Sequence, residues 1–155
     1  MDAISLLTED HKKVRKLLDE LSRTTTRASK TRTELLEKIA VELKVHTQIE
    51  EEIFYPAFKQ ACNDADNDKL YFEALEEHRA AGDLVLPDLL GTDIGSEKFS
   101  GRAKVLKELV DHHADEEEKE MFPRAKKIFS DEDLKKLGEQ LAERKQELLE
   151  TAAAA

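Results

Sequence analysis

The chain has 155 residues, 39 % of them charged, a net charge of −10, and only five Gly, three Pro and one Cys. That length suits a single domain with a real core, and a composition rich in Glu, Lys, Leu and Ala favours long amphipathic helices over sheet. The acidic balance argues against nucleic acid and anionic membrane as partners, the lone Cys62 offers no disulfide framework, and the sequence holds neither a signal-peptide core nor a membrane-length apolar run. The expectation is a cytoplasmic protein, monomeric or weakly dimeric, with one domain over residues 1–150.

Helix 1 is predicted over Ser5–Ser22, where Ile4, Leu7, His11, Val14, Leu18 and Leu21 recur in steps of three and four, the spacing of one helix face. Residues 23–32 are polar and Thr-rich and read as a loop, and Thr31 with Glu34 has the form of a capping box for helix 2. Helix 2 carries the stripe Leu36, Ile39, Leu43, His46, Glu50, Ile53, Ala57, with a kink expected at Pro56. Helix 3 follows the break at 63–67 and places Tyr71, Leu75, His78, Ala81, Val85 and Leu89 on one face. Ser96 is the expected N-cap of helix 4, whose stripe is Ala103, Leu106, Val110, His113, Glu117, Glu120. Ser130 caps a fifth helix, about 131–150, and residues 151–155 are expected to fray. The fold class is all-α: an up-and-down antiparallel four-helix bundle with a fifth helix packed on it.

Within this pattern one segment is written twice. His46-Thr-Gln-Ile-Glu50, ending at Pro56, recurs as His113-Ala-Asp-Glu-Glu117, ending at Pro123, and the offset is 67 residues throughout. The same 67 residues separate His11 from His78, so four of the five His lie on one grid. A period that spans a helical hairpin makes the bundle two hairpins related by a pseudo-twofold axis. It also brings His11, His46, Glu50, His78, His113 and Glu117 to matched heights on inward stripes.

Six polar side chains converging in a small core are destabilising unless a cation lies between them, because burying an unpartnered carboxylate costs several kcal/mol. The donor set has no thiolate, which excludes iron–sulfur, while imidazole with carboxylate suits Fe, Mn, Zn or Ni. Two copies of His, His and Glu suggest two metal ions, each with two imidazoles and with both carboxylates long enough to bridge. An oxo or hydroxo bridge leaves one position on each ion for a small ligand.

Over Ile4 to about Ile128 the chain resembles the hemerythrin-like, or HHE cation-binding, family. The resemblance is carried by His11, the HTQIEEEIFYP segment, the EEHRAAGDL segment and the HADEEEKEMFP segment. It implies a bundle holding two Fe ions, with Mn or Zn less expected, that meets O₂, peroxide or nitric oxide. Two departures separate the chain from the oxygen carriers of that family. Helix 3 supplies His78 alone, with Ala74 and Gly82 one turn away, and Glu117 comes four residues after His113 where the carriers place an Asp five after. The helix 5 stretch resembles that of bacterial members that decompose peroxide. A catalase-like di-iron oxidoreductase, served by an unidentified electron donor, is therefore the expected function. The alternatives are O₂ or nitric oxide binding or sensing, and iron sensing or storage without turnover.

Other polar residues receive simpler readings. His112 lies about 100° round the helix from His113 and should point outward. Glu120 is expected either to hydrogen-bond a ligand His or to lie at the bundle rim. Tyr55 falls on the far side of an ideal helix and is read first as packing, with rotation at the Pro56 kink the alternative that would bring its phenol inward as a donor near bound peroxide. Glu51, Glu52, Glu116 and Glu118 read as a solvated face.

Overall fold

The computed structural model describes residues 1–154. It has five helices: α1 (Ala3–Ser22), α2 (residues 29–61), α3 (residues 65–90), α4 (residues 97–128) and α5 (Asp131–Ala154). There is no strand among the described residues. The connections between α1, α2, α3 and α4 are only three to six residues long, which returns each helix antiparallel to the last.

Local chemistry sets the ends. Asp2 caps α1 by accepting the Ser5 N–H at 2.8 Å, so the helix starts two residues before the expected Ser5. Ser96 accepts the Phe99 N–H at 3.1 Å and Ser130 the Asp133 N–H at 3.1 Å, as their sequence positions imply. The capping box at Thr31 does not form: α2 begins at Ser29, and Arg32, assigned to a loop, is helical and 1 % exposed. Its guanidinium donates to Ile94 O and Ser100 Oγ at 2.8 Å each and lies 4.9 Å from the Phe99 ring centroid. Arg32 and Phe99 are 67 residues apart. Mates of the repeat thus meet each other at this end of the bundle.

Ahead of the prolines, each of α2, α3 and α4 contains a π-helical stretch, at Glu50–Phe54, Arg79–Val85 and Glu117–Met121. In each, an N–H bonds the carbonyl five residues back: Tyr55 to Glu50, Leu86 to Ala81, Phe122 to Glu117. Pro56, Pro87 and Pro123 follow directly. A proline has no N–H for an α-helical bond, and the wider turn takes up one extra residue ahead of it. The inward stripe therefore slips by one position past each wide turn. Phe54, Tyr55 and Phe58 are buried in place of Ile53 and Ala57, and Met121 and Phe122 in place of Glu120, which is exposed.

The core is in two parts. One holds Leu7, Ile49, Phe54, Phe58, Met121 and Phe122 with Leu134 and Leu141 of α5; the other holds Val14, Leu18, Ile39, Leu89, Phe99 and Leu106. In sequence five of the six predicted ligands fall between members of these two sets, and Glu50 directly follows Ile49 of the first. Gly138 lets α5 press against the N-terminus, since a Cβ there would collide with the Met1 carbonyl and the Asp2 backbone. α5 continues helical through Ala154 instead of fraying after Glu150, consistent with the high helix propensity of alanine; Ala155 lies outside the described residues.

Candidate metal centre

Each of the first four helices sends one imidazole inward: His11 from α1, His46 from α2, His78 from α3 and His113 from α4. Glu50 and Glu117 join them one turn after His46 and His113, and all six side chains are buried. The structure gathers donor atoms of His11, His46, Glu50 and Glu117 into one group and those of Glu50, His78 and His113 into another. Glu50 Oε1 lies 3.1 Å from His46 Nε2 and 3.2 Å from His78 Nε2. Glu117 Oε1 lies 3.1 Å from both His11 Nε2 and His113 Nε2. One oxygen of each carboxylate thus touches one imidazole of each pair.

The outward ring nitrogens are held as regularly. His46 Nδ1–H donates to Asp10 Oδ2 at 3.0 Å and His113 Nδ1–H to Glu77 Oε1 at 2.8 Å. His78 Nδ1–H donates to Glu51 Oε2 at 3.1 Å and His11 Nδ1–H to Glu118 Oε2 at 3.2 Å. A carboxylate only accepts, so these four bonds fix the proton on Nδ1 and leave each Nε2 lone pair facing the centre. Glu51 and Glu118 are therefore not simply a solvated face, and Asp10 and Glu77 are site residues the sequence reading missed. A signal for them was present: Asp10 and Glu77 are 67 residues apart, and so are Glu51 and Glu118. Each immediately precedes a lone His or immediately follows a motif Glu. Asp10 is gripped a second time by Lys145 of α5, which ties the fifth helix to His46 through one carboxylate.

Tyr55 turns fully inward as a consequence of the wide turn at Glu50–Phe54. Its hydroxyl donates to Glu117 Oε2 at 2.9 Å and lies 3.0 Å from His78 Nε2 and 3.4 Å from Glu50 Oε1. Burial, and then the charges of Glu117 and Glu50, push its pKa well above the ordinary tyrosine value. It stays a neutral phenol. His112 is 64 % exposed beside Glu77 and Glu116, pointing away from the centre. Glu120, at the surface, takes no part in the cluster.

The donors fit a cation. Two atoms bound side by side on a metal at bonds of about 2.1 Å are about 3 Å apart, and His78 Nε2 and His113 Nε2 lie 3.0 Å from each other. Two lone pairs at that distance repel unless something positive is shared between them. His46 Nε2 and Glu50 Oε2 are buried without a hydrogen-bond partner. Burial works against a charged His46, yet the Glu50 charge and the Asp10 hydrogen bond outweigh it and raise the pKa to about 10. Burial opposes the Glu50 charge as well, and the surrounding imidazoles still hold its carboxyl well below the usual range. In the metal-free chain protons occupy the place that a metal cation would take.

The sequence profile of the hemerythrin HHE cation binding domain matches residues 2–125. The chain belongs to this family. An uncharacterised protein of Mycobacterium tuberculosis and one of Mycobacterium bovis are each 30 % identical to it over 115 residues, covering 74 % of this chain and 67 % of theirs. The crystal structure of a hemerythrin HHE cation binding domain-containing protein from Mycobacterium kansasii superposes with a TM-score of 0.85 at 29 % identity, covering 99 % of this chain and 91 % of that one. As an HHE domain the chain has a cation-binding fold, and the buried His and Glu groups supply the donors. Among the described residues no helix is long and apolar enough to cross a membrane.

Proposed function

We propose that this hemerythrin-like centre holds two iron ions and decomposes peroxide, two H₂O₂ giving O₂ and two H₂O. One observation carries the reading. A void of about 20 Å³ lies against all four imidazoles, lined also by Val14, Leu43 and Ala81. About 10–15 Å³ admits one water-sized molecule, so a small oxidant has room beside the donors. The low imidazole count is consistent with that space, because the position one turn after His78 is Gly82.

Iron bound by His11, His46, Glu50, His78, His113 and Glu117 would supply the electron transfer that peroxide chemistry needs. The protein's own contributions follow from geometry. Asp10, Glu51, Glu77 and Glu118 fix the four rings, so little reorganisation is needed at the centre. Tyr55 holds a proton on its phenol oxygen 2.9 Å from Glu117 Oε2, as a donor placed inside the buried centre. Apolar side chains above and below the polar belt exclude bulk water.

The test is O₂ evolution from added peroxide by iron-loaded protein, beside a Glu50→Ala, Glu117→Ala double variant. Rapid evolution that is lost in the variant supports the reading; equal rates overturn it. A stable, reversible adduct with O₂ or nitric oxide, without O₂ evolution from peroxide, assigns the centre to binding instead.

A further inference from the structure

We propose that small ligands enter the centre through the cleft between α2 and α3, with Thr47 at its constriction. The identity of the ligand rests on the peroxide reading above. The cleft has a volume of about 660 Å³, and His78 and Glu51 form part of its wall. The void against the four imidazoles shares Leu43, Thr47 and His78 with that cleft. These three side chains stand at the border of both spaces. Leu43 and His78 are each 5 % exposed, while Thr47 is half-buried and borders both.

The repeat provides an internal comparison, because the groove equivalent to this cleft lies between α4 and α1. Arg15 spans it: Nη1 reaches Glu118 Oε2 at 3.2 Å, and Nη2 reaches Asp115 Oδ1 at 2.7 Å and Asp111 O at 3.2 Å. The residue 67 positions after Arg15 is Gly82. A Cβ built at Gly82 meets nothing within 4 Å, so no close packing calls for glycine there. Nor does the backbone, since no described glycine has positive φ. Glycine inside a helix costs about 1 kcal/mol relative to alanine, and here neither sterics nor conformation offsets it. What the missing side chain leaves is open cleft. Glu51 accordingly has no guanidinium over it and is 45 % exposed, against 30 % for Glu118 beneath Arg15. At the constriction the mate of Thr47 is Ala114, smaller and 1 % exposed.

A cleft walled by Leu43, Phe72 and Leu86, with Lys44, Glu51 and Arg79 also bordering it, suits small polar ligands without a large charge of their own, hydrogen peroxide among them. The test plugs the route without touching a predicted ligand. Gly82→Arg offers Glu51 the ion pair that Arg15 makes with Glu118, and Thr47→Leu fills the constriction. Azide association with the iron-loaded protein is followed by stopped-flow absorption, with iron per chain measured on the same samples and O₂ evolution from peroxide alongside. We expect azide association to slow tenfold or more in both variants, at unchanged iron content and near-unchanged equilibrium affinity, because a plug slows entry and exit alike. Wild-type association rates in both filled variants overturn the route. Slowed azide entry in a protein whose wild type evolves no O₂ removes the peroxide reading and leaves the route standing. O₂ evolution with unchanged azide rates in both variants removes the route and leaves the reading.

Discussion

Tyr55 and Phe122 occupy the same place in the two halves of the repeat, and each ring lies against a predicted ligand His. The Tyr55 and His78 centroids are 5.2 Å apart, and those of Phe122 and His11 are 5.7 Å apart and nearly parallel. The two halves therefore differ here by a single hydroxyl, which lies among the donor atoms of the centre. Near-symmetric donors can in this way sit in unequal environments: Phe122 only packs, while Tyr55 also offers a proton.

Replacing Tyr55 by Phe should make the halves alike. In chelated protein the change removes the partner of buried Glu117 Oε2, and an unsatisfied buried acceptor costs about 1–3 kcal/mol. In loaded protein a metal can occupy that oxygen, so the loss should be smaller. Iron content should stay near wild type while peroxide turnover falls about a hundredfold, the lower range for a lost proton donor. Thermal melts of both forms with O₂ evolution check this, and unchanged turnover would leave Tyr55 as packing only.

The carboxylates behind the imidazoles should rank by burial. Asp10 is 5 % exposed and is shared between His46 and Lys145, whereas Glu51 is 45 % exposed and water can replace it. Losing the carboxylate behind a ligand imidazole typically costs about 10–100-fold in metal affinity. Asp10→Asn is expected at the upper end and Glu51→Gln at the lower. Competition with a chelator at fixed free metal gives both values, and the reverse order would show that burial does not govern the effect.

The hairpin repeat, the helix faces and the six inward donors were legible because each follows from regular periods, 3.6 within a helix and 67 between halves. What was not legible followed from departures from regularity. At unbroken α-helical spacing the stripes past Glu50 and Glu117 put Tyr55 outside and Glu120 inside. A wide turn before each proline moves the register by one residue and exchanges those roles. Arg32 has loop-like, Thr-rich surroundings in sequence, and the partners that bury it, Ile94 of the α3–α4 connection and Ser100 of α4, are far along the chain. Glu51 and Glu118 read as surface because they are partly exposed, and only their distances to His78 and His11 reveal the second task.

Metal removal should make stability depend on alkaline pH. In the metal-free chain the His46 pKa rises from 6.5 to about 10, with burial opposing and Glu50 and Asp10 prevailing. A raised pKa contributes stability that is fully present below 6.5 and is lost as pH climbs through about 10. His78 and His113 are shifted upward as well, which adds in the same direction. Chelated protein should therefore melt at progressively lower temperature from pH 7 to pH 10, while loaded protein, whose cations replace those protons, changes less. Parallel melting curves for the two forms across that range would contradict the assigned pairing.

The repeat itself makes the most demanding prediction. His11 and His78 are mates, each contributed by the first helix of its hairpin, each with Nδ1 on a glutamate and Nε2 toward a carboxylate of the centre. His11→Ala and His78→Ala should each remove one donor and lower metal content to similar degrees. Glu50→Ala or Glu117→Ala should lower it further, because one oxygen of each touches imidazoles from both pairs. His112→Ala should change little, its ring being 64 % exposed and turned from the centre. Metal per chain measured on these five proteins decides the scheme. An emptied centre in His112→Ala would place the α4 register one residue off, and a harmless His11→Ala beside a damaging His78→Ala would reduce the centre to a single ion held by His78, His113 and Glu50.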